Sequence, residues 1–419
     1  MRKLAICLCL SVMLCAAAAA QSTETVLYSF GAYPGDSALP VGGLSFDSSG
    51  NIYGAAGEGE NCQSDGCGSI YELSPSLDGS WTEAVLYSFC PSGTPPACPD
   101  GYGPVAGLVM DGTGNLYGTT SAGGSGLRGT AFRLSPPQGG IGKWNETVLW
   151  NFAGGANDGA APGYGKLSID KSGNLYGTTM EGGEKNLGVV FELSPNAEGS
   201  YSFSLLHSFS GPDGAYPQYG VALDTAGDLY GTTEFGGVKS SACFVEPGTC
   251  GVIYELSPSN GTWTETVLYR FNGITGFYPI TPISLDSSGS LYGTFAGGGE
   301  GTGCYYLTCG GVFKLVPGEA KFYSFDFDGV DGNGTPENGV LVVGPDELYG
   351  SVGWPFNPGN VYRLTGRRQS ILYSFCSLSN CADGSRPSSG TVVSHKGLLY
   401  GAAFEGGANG VGVVYSLAK

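Results

Sequence analysis

Thr23-Glu24-Thr25-Val26-Leu27-Tyr28-Ser29-Phe30 is the stretch on which the reading of this chain turns. Near copies return as Glu83-Ala84-Val85-Leu86-Tyr87-Ser88-Phe89 and Glu265-Thr266-Val267-Leu268-Tyr269-Arg270-Phe271. Looser ones are Leu149-Trp150-Asn151-Phe152, Leu206-His207-Ser208-Phe209, Phe322-Tyr323-Ser324-Phe325 and Leu372-Tyr373-Ser374-Phe375. The marker begins at 27, 86, 149, 206, 268, 322 and 372, so its copies are 59, 63, 57, 62, 54 and 50 residues apart. Periods of this length belong to propeller blades or long solenoid units.

Each period holds four strand-like pieces, here a, b, c and d. Piece a is short and apolar, as in Gly43-Leu44-Ser45-Phe46-Asp47 and Gly107-Leu108-Val109-Met110-Asp111. A turn of form Asp-x-x-Gly follows in five units (Asp47/Gly50, Asp111/Gly114, Asp170/Gly173, Asp224/Gly227, Asp286/Gly289), which suits a tight type I turn. Piece b carries Tyr53, Tyr117, Tyr176, Tyr230, Tyr292, Tyr349 or Tyr400, each followed by glycine. Piece c follows a glycine-rich loop, as in Gly188-Val189-Val190-Phe191-Glu192-Leu193-Ser194-Pro195. Piece d alternates apolar and polar residues and often opens on tryptophan (Trp81, Trp144, Trp263), the pattern of a strand with one wet face.

The order along the chain is d, six complete abcd units, then abc ending at Tyr415-Ser416-Leu417. An open solenoid has no reason to begin and end on complementary fragments, but a ring does. The expected fold is therefore all-β: a seven-bladed β-propeller of four-stranded antiparallel blades, closed by the N-terminal strand, where closure leaves only short protected edges. A stack of separate small β domains is the alternative. The expected single domain covers 21–419, with 22–30 completing the blade formed by 390–419.

Residues 1–20 read as a signal peptide. Arg2 and Lys3 precede an apolar run, and Ala18-x-Ala20 before Gln21 suits signal peptidase. Leu14 before Cys15 does not suit a lipobox, and no later run is long and apolar enough to span a membrane. The chain is expected to be secreted, to the extracellular space, the periplasm or the cell surface of a bacterium. With 75 glycines and 12% aromatic residues, the composition fits tight turns between aromatic strands rather than disorder. A net charge of −18 argues against nucleic acid or an anionic membrane as partner.

Leu-Tyr-Gly-Thr-Thr, a Gly-Gly loop, then Gly-Val-Val-Phe-Glu-Leu-Ser resemble the GloVer (Gloeo/Verruco) tandem repeats of exported bacterial proteins. The resemblance covers the chain after the leader and implies a secreted or surface repeat protein of unassigned activity. Asp-x-x-Gly-Asn-Leu-Tyr also looks like the blade motif of propeller sensor and lyase families.

Beyond the leader, ten cysteines form five close couples: Cys62/Cys67, Cys90/Cys98, Cys243/Cys250, Cys304/Cys309 and Cys376/Cys381. In an exported chain these read as disulfides, and zinc fits poorly without histidine partners. Antiparallel order puts all five in the b–c and d–a loops, hence on one face of the ring. The d–a loops also repeat Asp-Gly followed by proline, giving Asp100, Asp158, Asp213 and Asp383 as candidate ligand-binding carboxylates around the channel mouth. Such a ring would favour Ca²⁺ or a cationic ligand, although Asp-Gly is also plain turn chemistry. A second candidate Ca²⁺ site is the acidic run holding Asp326, Asp328 and Asp331, with Glu337 at position 12 of a calcium loop. Val330 and Asp331 depart from that loop's fifth and sixth positions.

Signals for catalysis are poor. The two histidines read as structural, and no nucleophile elbow, zinc-protease motif or phosphate loop is present. The expected function is a monomeric binding or surface-interaction module for an extracellular protein or carbohydrate, with ligands on the disulfide-braced face. The alternative is a carbohydrate hydrolase or lyase using top-face carboxylates, since a carboxylate pair suffices for glycosidic chemistry.

Overall fold

Seven antiparallel sheets account for the strands of the described residues, and each takes its four positions in the order a, b, c, d. This is a computed structural model, and it describes residues 22–33, 35–58, 67–91, 94–140, 142–243, 248–298, 310–319, 321–326, 338–344, 347–353, 358–387 and 392–419. Blade 1 is Ala38–Phe46, Ile52–Glu58, Ser69–Pro75 and Trp81–Ser88. In blades 3, 5 and 7 strand a is split into two short pieces, such as Gly159–Pro162 and Ser168–Ile169. Among the described residues no helix is long and apolar enough to cross a membrane.

Glu24–Ser29 pairs antiparallel with Val413–Ala418, so the first strand of the chain is the outermost strand of the last blade. The ring therefore closes as expected. Seven buried apolar clusters fill the seams between neighbouring blades rather than the blades themselves; Phe30, for instance, joins Leu44, Ile52, Tyr71, Tyr400 and Val414. The marker phenylalanine is the knob of six of these seams. Phe30 packs edge-on against Tyr71 of blade 1 at 4.9 Å, and Phe89, Phe152, Phe209, Phe271 and Phe375 repeat the contact with the c-strand aromatic of the following blade.

The recurring words of the sequence have local causes. Glycine follows the b-strand tyrosine because the aromatic directly across on strand c lies over it: a Cβ on Gly118 would fall 2.7 Å from Cζ of Phe132, and one on Gly231 2.4 Å from Cζ of Tyr254. The Asp-x-x-Gly turn is held by its own carboxylate. Oδ1 of Asp47 accepts the backbone N–H groups of Ser49, Gly50 and Asn51, while Oδ2 accepts Asn51 Nδ2 at 2.8 Å and the Tyr53 hydroxyl at 3.3 Å. The leucine of the marker is a β-bulge, unpaired in six blades, which bends strand d around the rim.

Blade 5 departs from the marker reading. It has no bulge, so Phe322 pairs with Leu315 and Phe325 with Val312. One residue fewer turns the rest of the strand over. Phe325 thus occupies the position that Tyr87 or Tyr269 holds elsewhere, and Tyr323 faces outward.

Candidate functional site

The d–a and b–c loops lie together on one face and are stitched to each other. Tyr102 and Ala122 exchange backbone hydrogen bonds at 2.9 and 3.2 Å, Ala215 and Phe235 at 2.9 and 3.1 Å, and Gly407 donates to Cys381. Cys90–Cys98, Cys243–Cys250 and Cys376–Cys381 are disulfides in these loops. Cys67 is disulfide-bonded as well, and its sulfur lies within 4.8 Å of those of Cys90 and Cys98. Cys62, Cys304 and Cys309 fall outside the described residues. Among the described residues these three sulfurs are the one group close enough to share a metal ion, and as disulfide sulfurs they are spent.

Each described candidate aspartate of the d–a loops is engaged by its own loop and the end of the preceding strand d. Asp100 accepts the Tyr87 hydroxyl at 2.8 Å and the Cys90 N–H at 3.0 Å. Asp158 accepts Trp150 Nε1 and the Ala153 N–H. Asp213 pairs with His207 Nε2 at 3.0 Å and accepts the Ser210 N–H and hydroxyl. Asp383, fully buried, accepts the Tyr373 hydroxyl and the Ser377 N–H and hydroxyl. The same geometry holds Asp36 to Tyr28 and Ala32. These carboxylates tie the top of strand d to the start of strand a. Each of the four candidates is thus held to the ring of a strand-d side chain, Tyr87, Trp150, His207 or Tyr373. Of the proposed calcium ligands, Asp326 ends the strand Lys321–Asp326, and its side chain, like Asp328 and Asp331 altogether, lies outside the described residues.

A feature the sequence reading missed is a second carboxylate on strand d, opposite the buried leucine of strand c. Glu24, Glu83, Glu146 and Glu265 hold this slot in blades 7, 1, 2 and 4. Each lies across a seam from the loop aspartate of the preceding unit: Glu24 near Asp383, Glu83 near Asp36, Glu146 near Asp100, Glu265 near Asp213. Burial first, and the neighbouring aspartate second, push Glu24, Glu83 and Glu146 up to about 7. Glu83 also accepts the Tyr33 hydroxyl at 2.7 Å and the Ser37 N–H. Burial favours a neutral Asp213, but hydrogen bonds from His207 and Ser210 outweigh it and hold the group down to about 2. In blades 3 and 5 phenylalanine takes the glutamate slot and the seam is aromatic instead: Phe203 stacks on Trp150 at 4.9 Å and Phe322 on Tyr269 at 3.9 Å. Both kinds of seam are packing devices built from the same two positions.

The loop face carries apolar side chains in the open. Tyr33, Leu127, Val238, Ile274 and Leu378 are exposed there, each on a d–a or b–c loop. Inside the ring, a cavity of about 310 Å³ is walled by the a strands, among them Leu44, Ile283, Leu285, Val340 and Val393, with Tyr164 and Lys166 as its polar lining from blade 3.

The family model for the Gloeobacter/Verrucomicrobia repeat matches residues 171–415. This chain belongs to that repeat family. No curated protein matches it. Solved structures of similar shape include the polysaccharide lyase Uly1 (TM-score 0.53, 10% identity, covering 94% of this chain and 93% of that one). A PL25 ulvan lyase bound to -[GlcA(1-4)Rha3S]- covers 94% and 95% at TM-score 0.52 and 11% identity. An ancestral GH74 enzyme covers 95% of this chain with 51% of its own, at TM-score 0.55 and 12% identity. At such identities the likeness is one of fold. In this chain the matched span runs from the a–b turn of blade 3 to strand c of blade 7, and the segment 24–29 supplies that last blade's fourth strand.

Proposed function

We propose that this repeat protein is an extracellular binding module whose ligand docks on the d–a and b–c loop face. The observation that carries the reading is the exposure of Tyr33, Leu127, Val238, Ile274 and Leu378 on loops pinned by disulfides and by buried aspartate clamps. Exposing apolar side chains costs solubility unless a partner covers them, and fixing their loops beforehand removes the ordering entropy that binding would otherwise have to meet. Disulfides and the leader-like residues 1–20 support an extracellular setting.

Polysaccharides are the first probes, because two of the similarly folded proteins are polysaccharide lyases. The test is a panel of neutral and acidic polysaccharides read for binding by biolayer interferometry and for released product by absorbance and reducing ends. Y33S and I274S on the loop face should weaken binding at least tenfold, while L77S on a c–d turn of the opposite face should not. Equal binding by all three variants refutes the loop face, and product release on repeated turnover replaces the module with a hydrolase or lyase.

A further inference from the structure

The a strands can be aligned by the tyrosine each faces on strand b: Ser45, Val109, Ser168, Ala222, Ser284, Leu341 and Val393 are the equivalent residues. One position earlier sits the buried aliphatic of each seam, Leu44, Leu108, Leu167, Val221, Ile283, Val340 and Val392. Two positions earlier, in blades 1 to 6, stand Gly43, Gly107, Lys166, Gly220, Pro282 and Gly339. Four glycines and a proline keep this level of the bore clear, and one blade puts a lysine into the space.

The repeat does not require that lysine. Adjacent a strands meet through backbone here: a Cβ on Gly107 would fall 2.9 Å from the nitrogen of Gly43, and one on Gly220 2.8 Å from the carbonyl oxygen of Lys166. Lys166 shares the cavity with Tyr164 and with Leu44, Ile283, Leu285 and Val340. Among the described residues no hydrogen bond or ion pair engages its ammonium. Its side chain is exposed to the open space of the bore, while desolvation by the surrounding ring pulls its pKa below the ordinary lysine value. An exposed cation in that position keeps its water, so the ring can hold it without a counter-charge and its charge is available to a ligand.

We propose that the central bore is a binding site for a small organic monoanion, a carboxylate on an apolar body, whose charge is met by Lys166 and whose body lies against the aliphatic walls. A single cation matches a single negative charge. The chain's net charge of −18 repels polyanions, which selects against an acidic polymer threading the ring. About 310 Å³ holds one small molecule. The site uses none of the exposed side chains of the d–a and b–c loop face, so it stands or falls independently of the loop-face reading.

Calorimetric titration of the full chain with sodium octanoate tests it. The key variant is K166G, which gives blade 3 the residue that blades 1, 2, 4 and 6 already carry and so should fold. Wild type should bind one octanoate, K166R should retain it, K166G should bind at least tenfold more weakly, and 1-octanol should not compete. Unchanged affinity in K166G, octanol binding as tightly as octanoate, or sodium sulfate competing equally would each overturn the proposal. Labelling with acetic anhydride, read by peptide mass spectrometry, gives a second measure: octanoate should protect Lys166 and leave the exposed Lys171 unchanged. Equal protection of the two lysines would also overturn it.

Discussion

Replacing Phe30 with alanine tests whether the first strand is structural closure or an appendage. Phe30 is fully buried, 5.3 Å from the ring of Tyr28 and 4.9 Å edge-on to Tyr71, so it touches blade 7 and blade 1 at once. Removing a buried phenylalanine costs about 3–5 kcal/mol through lost transfer energy and the cavity left behind. The internal standard is Phe152, fully buried and 5.1 Å from Phe191 in the seam between blades 2 and 3, where the chain runs straight through. Its truncation should cost the same within about 1 kcal/mol, since seam chemistry and not covalent continuity sets the energy. Equilibrium urea unfolding followed by near-ultraviolet circular dichroism measures both, with an unchanged slope showing that the midpoint shift reflects stability. Deleting 23–30 removes this knob together with the paired strand and should lower the midpoint further than F30A. If F30A loses less than about 1 kcal/mol while F152A loses the full amount, the N-terminal strand does not close the ring.

Further perturbations address the seams, the turns and the loop face. Because burial raises Glu83 and Glu146 to about 7, the folded chain holds protons that the unfolded chain, near 4.5, has released; stability from this source is present below that window and lost as pH rises through it. The wild-type melting temperature should therefore fall from pH 5 to pH 8, and E83Q/E146Q should flatten that slope; an unaltered slope refutes the assignment. G118A should cost about 1–3 kcal/mol by pressing on Phe132, and G118A/F132L should lose less than the sum of its parts; strict additivity would mean that the ring is not what excludes the methyl. Reduction with dithiothreitol should remove about 2 kcal/mol per short disulfide loop and lower the melting temperature, and an unchanged midpoint would show the loops to be held by other means. Added Ca²⁺ should raise the melting temperature above that in EDTA, with the gain lost in D328N/D331N, and identical midpoints would remove calcium from the reading of that acidic run.

The architecture was legible because its cause repeats. A marker occurring seven times, with its first copy detached from the other three pieces, leaves a ring as the only economical arrangement, and Glu24–Ser29 does pair with Val413–Ala418. The loop aspartates were legible for the same reason. Asp100, Asp158, Asp213 and Asp383 recur, and each clamps its d–a loop to strand d. The glutamate slot was hidden by the bulge at the marker leucine, which changes the face of every residue beyond it, and by blade 5, which omits that bulge. Lys166 went unseen because the a strands are short and unlike one another; only their pairing with the b-strand tyrosines aligns them.

Symmetry then says where to look for what repetition does not explain. Ser45, Ser168 and Ser284 each donate to a backbone carbonyl on the next a strand, Leu108, Val221 and Val340, at 2.5–2.6 Å, tying blades 1 to 2, 3 to 4 and 5 to 6 around the bore. Aliphatic residues take the alternate places, Val109, Ala222 and Leu341. A ring of seven cannot alternate to the end, and blade 7 breaks the rule with Val393. That exception follows from counting. The lysine does not: nothing in the alternation, the seam chemistry or the turn clamps places a cation in blade 3, where glycine would serve the ring as it does in four other blades. A lysine set against aliphatic walls that answers to none of the repeating rules of the ring is best explained by something the bore holds.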